Sequence, residues 1–136
     1  MSQPSDRNIS DTPAAGLLGR EVVSFDAETG EAVVRYFARP EFANRHGTVQ
    51  GGLLGAMLDS AAGIAGSSDL PPDQTAVTAR LEVAFLKPAP LGPLVATARR
   101  ISRDHRSIHV EGILADPTGR VLATARAEMR ILPRKA

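Results

Sequence analysis

Residues 51–67 read GGLLGAMLDSAAGIAGS, and this stretch decides the fold. Its apolar side chains recur at helical spacing and form one stripe: Leu54, Met57, Leu58, Ala61 and Ala65. A glycine pair opens the segment, and Gly66-Ser67-Ser68 closes it. Apolar residues at this spacing, bounded by such residues, are typical of an amphipathic helix. The sequence therefore predicts one helix from Gly51 to about Ser67.

Short segments with strand-like residues lie on both sides of this helix. Upstream, residues 21–26 and 31–38 flank a turn-like stretch that ends at Gly30, which predicts a hairpin. Downstream lie four more segments, residues 75–86, 94–103, 107–115 and 120–131. Successive strands joined by short turns favour an antiparallel sheet. Because the helix must bury its stripe against that sheet, we predict an α+β domain with a single central helix.

The alternation within residues 75–86 predicts which side chains share a face of the strand. One face holds the apolar residues Val77, Ala79, Leu81, Val83 and Phe85. Thr78 is then expected on the opposite, polar face, since neighbouring residues of a strand point to opposite sides.

Composition and charge exclude several classes of protein. Of 136 residues, 43% are hydrophobic and 23% are charged, which argues against a mainly disordered chain. A net charge of +1 gives no general attraction to nucleic acid or to an anionic membrane. The absence of cysteine excludes disulfides, thiolate nucleophiles and cysteine metal sites.

The chain is expected to form one domain. Residues 1–15 are rich in Ser, Asp, Asn and Pro and are interpreted as a flexible arm, with a single domain over residues 16–136. The N-terminus is polar, and no apolar run approaches the roughly 20 residues of a membrane span. We therefore expect a cytoplasmic protein.

Residues 44–52, NRHGTVQGG, lead into the helix and carry the first chemical signal. Backbone N–H groups at a helix N-terminus lack intrahelical partners and lie at the positive end of the dipole. Gly51 and Gly52 would let a ligand carbonyl come close, and Asn44 adds an amide donor. Donors placed in this way stabilise a developing oxyanion.

Asp59 is the second signal. It projects about 140° from Leu54 around the helix, away from the apolar stripe, among glycines and alanines. A carboxylate on a face of small residues has room for a ligand beside it. The alternative is that the small residues form a packing surface, with Asp59 solvated or paired.

The string NRHGTVQGGLLGAMLDSAAG closely resembles the signature of the hot-dog-fold acyl-CoA thioesterases, in particular the PaaI-like, phenylacetate-degradation group. Five residues fall in register with that signature: Asn44, Gly47, Gly51, Gly52 and Asp59. The later string TARLEVAFLKPAPLG is also similar to that family's sequence. The resemblance implies a hot-dog fold, in which an antiparallel sheet wraps around one long central helix.

The resemblance also implies roles for individual residues. The Gly51 N–H and the Asn44 amide would polarise a thioester carbonyl, with Asp59 as general base or nucleophile and Thr78 helping to hold a water. Neighbouring candidates for substrate binding are Gln50, Gly52 and His46. The family has histidine where this chain has Gln50, and an amide cannot titrate near neutrality. Chemistry that needs a histidine at this position would be lost.

Arginines cluster around residues 99–106, between two predicted strands. They form either a solvated basic turn or a contact in which Arg103 and Arg106 hold the phosphates of coenzyme A. His105 and His109 lie in a predicted turn and strand with no evident third ligand, so we predict neither a metal site nor a cofactor.

The function expected from the residues and the resemblance is hydrolysis of an acyl-CoA thioester. The alternatives are a hot-dog hydratase or dehydratase and a non-catalytic acyl-CoA-binding protein. Gly51 and Asp59 lie eight residues apart, or about 12 Å along one helix, too far to act on one carbonyl. We therefore expect a homodimer with shared active sites. The resemblance also implies pairing of dimers into a homotetramer.

Overall fold

The computed structural model describes residues 12–135. The helices are α1 (Pro13–Leu17) and α2 (Gly51–Ser67), with a 3₁₀ turn at Pro40–Phe42. The strands are β1 (Glu21–Asp26), β2 (Glu31–Ala38), β3 (Gln74–Phe85), β4 (Gly92–Arg103), β5 (Ser107–Ala115) and β6 (Val121–Pro133). The central helix and the six strands lie where the sequence predicts them, within a few residues at each end.

The six strands form one antiparallel sheet in the order β1-β2-β4-β5-β6-β3. Helix α2 crosses one face of this sheet and contacts β2 to β6. This is the predicted α+β architecture of a sheet wrapped around one long helix. Strands β1 and β3 are the two edges of the sheet. None of the helices within residues 12–135 is long and apolar enough to cross a membrane.

Helix α2 buries its predicted apolar stripe against the sheet. All five stripe residues are at most 3% exposed: Leu54, Met57, Leu58, Ala61 and Ala65. Glycines allow the closest approaches. A Cβ added at Gly112 of β5 would lie 3.3 Å from Leu58 Cδ2, and one at Gly66 would lie 2.8 Å from Met129 Sδ. The helix is thereby held at one fixed depth in the sheet, which positions every side chain on its flanks.

The N-terminal boundary differs from the prediction. Residues 13–15, assigned to a flexible arm, belong to helix α1, and Ala15 is only 3% exposed. The Thr12 hydroxyl caps this helix by accepting a hydrogen bond from the Ala15 N–H at 3.2 Å. A hydroxyl N-cap followed by Pro13 favours a helix start that composition alone does not reveal. The rest of the predicted arm, residues 1–11, lies outside the described residues.

The prediction of which β3 side chains share a face is wrong for the residues that precede a β-bulge. The register with β6 shifts between Thr78 and Arg80, so the strand carries an extra residue there. One extra residue reverses the alternation. Thr78 therefore faces the helix, on the same side as Leu81 and Val83, which pack against the core. Val77, expected beside Leu81, is instead 48% exposed.

Candidate active site

The loop before α2 is built around the side chain of Asn44. Its Oδ1 accepts hydrogen bonds from the backbone N–H groups of His46 at 2.9 Å and Thr48 at 3.2 Å. Its Nδ2 donates to the Thr48 hydroxyl at 3.0 Å. Gly47 adopts φ +78°, which other residues rarely adopt, so the loop can close on itself. Asn44 thus shapes the entry to the helix and keeps a second amide hydrogen for a ligand.

Some backbone N–H groups at the start of α2 donate hydrogen bonds to backbone carbonyls, and others do not. Those of Val49, Gln50 and Leu53 donate to the carbonyls of Ala89, Phe42 and Gln50. Within residues 12–135, no backbone carbonyl accepts from the Gly51 or Gly52 N–H. The Gln50 side chain is exposed and makes no capping hydrogen bond, so its amide is also available. In the described part of the chain, the helix start therefore carries donors without a protein acceptor.

A cavity of about 340 Å³ lies against Gly51 and Asn44. Asn44, His46 and Thr48 line it from the loop, Gly51 and Leu54 from the helix, and residues 85–89 from the far side. The Phe85 ring lies so close that a Cβ added at Gly51 would be 3.3 Å from its Cε1. Glycine at this position therefore keeps space between the ring and the helix start.

Asp59 lies on the same helix flank, two turns further on. Its Oδ1 accepts a hydrogen bond of 2.7 Å from the Thr78 hydroxyl of β3. Its other oxygen, Oδ2, accepts none from residues 12–135. Gly55 lies between, with its Cβ position 3.8 Å from Val83. Gly51, Gly55 and Asp59 thus lie one after another along β3, which leaves Gly51 and Asp59 about 12 Å apart within one chain.

A tyrosine is buried on the other flank of the helix. Tyr36 of β2 is 2% exposed, and burial raises its pKa to about 12, opposed by the Ser60 hydroxyl and the Arg20 charge. Arg20 Nη1 donates to Ser60 Oγ at 3.3 Å. Because this phenol stays protonated at neutral pH, it cannot act as a base. Asp59 is the base candidate that the helix offers beside its small residues.

The predicted arginine cluster lies past the other end of α2. Asp69, just beyond the helix, pairs with Arg100 Nη1 at 2.8 Å and with Arg103 Nη1 at 2.6 Å. Burial acts to raise the pKa of Asp69, but the hydrogen bonds from Arg103 and Arg100 outweigh it and hold that pKa below its usual value. Arg106 donates its backbone N–H to Asp104 in the β4–β5 turn. Contact of Arg103 and Arg106 with coenzyme A stays a prediction.

The chain matches the family model "Thioesterase superfamily" over residues 46–123. It is 34% identical to a putative thioesterase, a phenylacetic acid degradation-related protein from Ralstonia eutropha. That match covers 94% of this chain and 99% of the other, with a TM-score of 0.88. The chain belongs to the thioesterase superfamily. It is thus a thioester hydrolase by family, and the predicted resemblance to the PaaI-like group is confirmed. No curated protein sequence matches it.

Two further solved structures show the same fold. The PaaI protein from the E. coli phenylacetic acid degradation operon is 23% identical, with a TM-score of 0.84; the match covers 95% of this chain and 94% of that one. A hypothetical thioesterase from Streptococcus pneumoniae, solved with coenzyme A, is 19% identical, with a TM-score of 0.75 and coverage of 86% and 88%. At these identities the likeness concerns the fold alone.

Larger cavities of this thioesterase lie on the sheet face turned away from α2. One of about 650 Å³ is lined by Glu31, Glu82 and Glu111 together with Arg99 and Arg126. An adjoining one of about 500 Å³ is lined by some of the same carboxylates. Neither contains a helix N-terminus, so neither offers the amide donors found at Gly51. Within residues 12–135, no three His, Asp or Glu side chains are placed to hold a metal ion.

The structure adds residues that the sequence did not place at the site. Phe85 and the residues after it come from the string TARLEVAFLKPAPLG, which signalled the family but gave no position relative to the helix. Hydrogen bonds from the Leu86 and Lys87 amides to the Leu122 carbonyl fix this segment. Contacts of this long range leave no local signal.

Proposed function

We propose that this thioesterase hydrolyses an acyl-CoA thioester to a carboxylic acid and coenzyme A. The observation that carries the proposal is that helix α2 carries unused amides at Gly51 and Gly52 and, two turns further on, a carboxylate, Asp59, held by the Thr78 hydroxyl. The names of the Ralstonia relative and of the coenzyme A-bound Streptococcus protein support the choice of substrate.

The helix start would bind the thioester carbonyl. Its oxygen would accept hydrogen bonds from the Gly51 N–H and from the second amide hydrogen of Asn44, two residues that line the same cavity. As a nucleophile adds, negative charge develops on this oxygen. Fixed donors at the positive end of a helix stabilise that charge more than they stabilise the neutral carbonyl, so they lower the barrier.

Asp59 would activate the water. With Oδ1 held by Thr78, Oδ2 can accept a proton from a water molecule, and the Thr78 oxygen can accept a hydrogen bond from the same water. The water oxygen adds to the carbonyl carbon as its proton passes to Asp59. The tetrahedral intermediate then breaks its C–S bond, and the leaving sulfur takes the proton from Asp59.

The same carboxylate could act instead as the nucleophile. Oδ2 would add to the carbonyl carbon and expel the thiolate, giving an acyl-aspartyl anhydride that water then hydrolyses. Both routes need an ionised Asp59. Detection of ¹⁸O from labelled water in the Asp59 carboxylate after a single turnover would identify the anhydride route, because the general-base route never labels the protein.

Each site would be built from two chains. Edge strand β3 is twelve residues long, and edge strands expose unpaired backbone groups that can pair with another chain. Val77 and Phe85 of this strand are 48% and 57% exposed. A second β3, related by a two-fold axis, would cover this edge and extend the sheet across a dimer.

The charges on β3 favour one register over its two neighbours. Arg80 and Glu82 both point away from the helix. A register centred on either residue places like charges opposite each other, whereas one centred on Leu81 pairs Arg80 with the partner's Glu82. Beyond the bulge, Thr78 then lies opposite the partner's Val83. Asp59, bonded to Thr78, would thereby lie at the dimer interface and face the glycines of the partner's helix α2. The family resemblance implies that two such dimers would pair into a tetramer.

Two other functions make different predictions. A hot-dog hydratase or dehydratase would use a histidine at the helix start, where this chain has Gln50. A non-catalytic acyl-CoA-binding protein would bind without turnover, so Asp59→Asn would leave it unaffected. The test is release of free thiol from a panel of aryl, short-, medium- and long-chain acyl-CoAs. Hydrolysis of at least one class is expected, and failure on every class would contradict the proposal.

A further inference from the structure

Electrostatics distinguish the cavity at Gly51 from the two on the outer sheet face. Each of the outer cavities is lined by three glutamates and two arginines, so carboxylates are in excess there. The cavity at Gly51 is lined by no carboxylate, and Lys87 and His46 stand at its wall. Of these three cavities, it is therefore the one suited to an anionic ligand.

Arg45 is a second cationic side chain near this wall, in addition to Lys87. Arg45 precedes His46, and its Nε donates a hydrogen bond of 3.3 Å to His46 Nε2. Within residues 12–135, neither Arg45 nor Lys87 forms an ion pair with a carboxylate. Both side chains are exposed, while the Lys87 backbone is fixed by its hydrogen bond to the Leu122 carbonyl. We call Arg45, His46 and Lys87 the basic rim.

Two arginines beyond the other end of the helix, Arg100 and Arg103, already form ion pairs. Arg100 and Arg103 share the carboxylate of Asp69, so part of their charge is already neutralised. Charge-assisted hydrogen bonds of this kind must be broken or shared before either guanidinium can turn to a phosphate. Within the described residues, Arg45 and Lys87 of the basic rim form no such ion pair. The rim also borders the cavity that Gly51 and Asn44 line, where the thioester carbonyl would bind.

We propose that the basic rim binds the phosphates of coenzyme A, with the pantetheine arm in the cavity of about 340 Å³ that leads from Gly51. This inference rests on the proposed function. The cavity volume lies within the usual range for small-molecule sites. The arm's amides can meet polar groups of the loop, and its methylene groups can pack on Leu54 and Phe85. Arg45 offers a planar fork to a phosphate, and Lys87 offers a mobile point charge.

The test compares two substrates with the same acyl group, an acyl-CoA and the corresponding acyl-pantetheine, which lacks the nucleotide and phosphates. In the double variant Arg45→Ala/Lys87→Ala, we expect KM for the acyl-CoA to rise about tenfold, with kcat within twofold of wild type. KM for acyl-pantetheine should stay unchanged. Lys87→Arg alone should keep most of the affinity, because it keeps the charge.

The matched control is Arg35→Ala, which removes one exposed arginine that pairs with Glu21 on the sheet. It should change neither KM. Raising the ionic strength should raise KM for the acyl-CoA in the wild type and have less effect in the double variant, because salt screens exposed charges.

Three outcomes would overturn the inference: equal KM changes on both substrates, no change on either, or a coenzyme A-specific change in Arg103→Ala and Arg106→Ala but not in the rim variant. Calorimetric binding of free coenzyme A and of pantetheine separates this inference from the proposed function. If the wild type hydrolysed neither thioester, the hydrolase proposal would fail, yet loss of coenzyme A affinity in the rim variant would still support the rim.

Discussion

The Thr78 hydroxyl lies 2.7 Å from Oδ1 of Asp59 and joins edge strand β3 to the middle of helix α2. This bond fixes the carboxylate in one orientation. In Thr78→Val, a side chain of the same shape loses the donor, so we expect kcat to fall about tenfold. Thr78→Ser should keep most of the activity. Equal loss in both variants would mean that Thr78 acts through packing rather than through its hydroxyl.

Asp59→Asn should reduce kcat by at least a hundredfold and leave the circular dichroism spectrum and thermal midpoint close to those of the wild type. The amide keeps the size of the carboxylate but can neither accept the proton of water nor attack the carbonyl. A fully active Asn variant would remove Asp59 from the mechanism.

Gly51→Ala should lower kcat/KM at least tenfold with a small effect on stability. The new methyl group would lie 3.3 Å from the Phe85 ring, which is 57% exposed and can shift. That methyl would stand where the thioester carbonyl must approach the Gly51 N–H. The control is Gly16→Ala in α1, where no atom lies within 4 Å of the added Cβ. Activity should be unaffected by the control.

Asp69→Asn should lower the free energy of unfolding by about 1–2 kcal/mol at pH 7, because two arginines lose a charged acceptor. The pKa of Asp69 is lowered in the folded state, so its contribution is complete above the unfolded-state pKa of about 3.9. The contribution disappears as pH falls below that value. Urea unfolding of both proteins between pH 7 and pH 3 should show the difference shrinking. A constant difference would contradict the linkage.

Much of the fold could be predicted because its signals are local. The apolar stripe of residues 51–67 and the turn at Gly30 locate the helix and the first strands directly. The bulge after Thr78 could not be predicted, since it depends on how β3 pairs with β6. The hydroxyl cap that makes residues 13–15 helical was equally hidden by a composition typical of an arm.

The candidate site was predictable in part for a similar reason. Asn44, Gly51 and Asp59 belong to one continuous string of sequence, and their spacing on a helix follows from geometry. Phe85 and Lys87 reach the cavity through tertiary packing, so no local pattern connects them with Gly51. The ion pairs that occupy Arg100 and Arg103 also depend on Asp69, more than thirty residues away.

The most direct test of a site shared between two chains is activity recovered from two inactive variants. Asp59→Asn and Asn44→Ala would each be purified, then unfolded together and refolded at equal amounts. A mixed dimer places both lesions in one site and leaves the other site intact. With random pairing, half of the dimers are mixed and each has one working site, so about a quarter of wild-type activity should return. A mixture that stays inactive, although mass spectrometry shows mixed dimers, would contradict the shared site and show that each site is built within one chain.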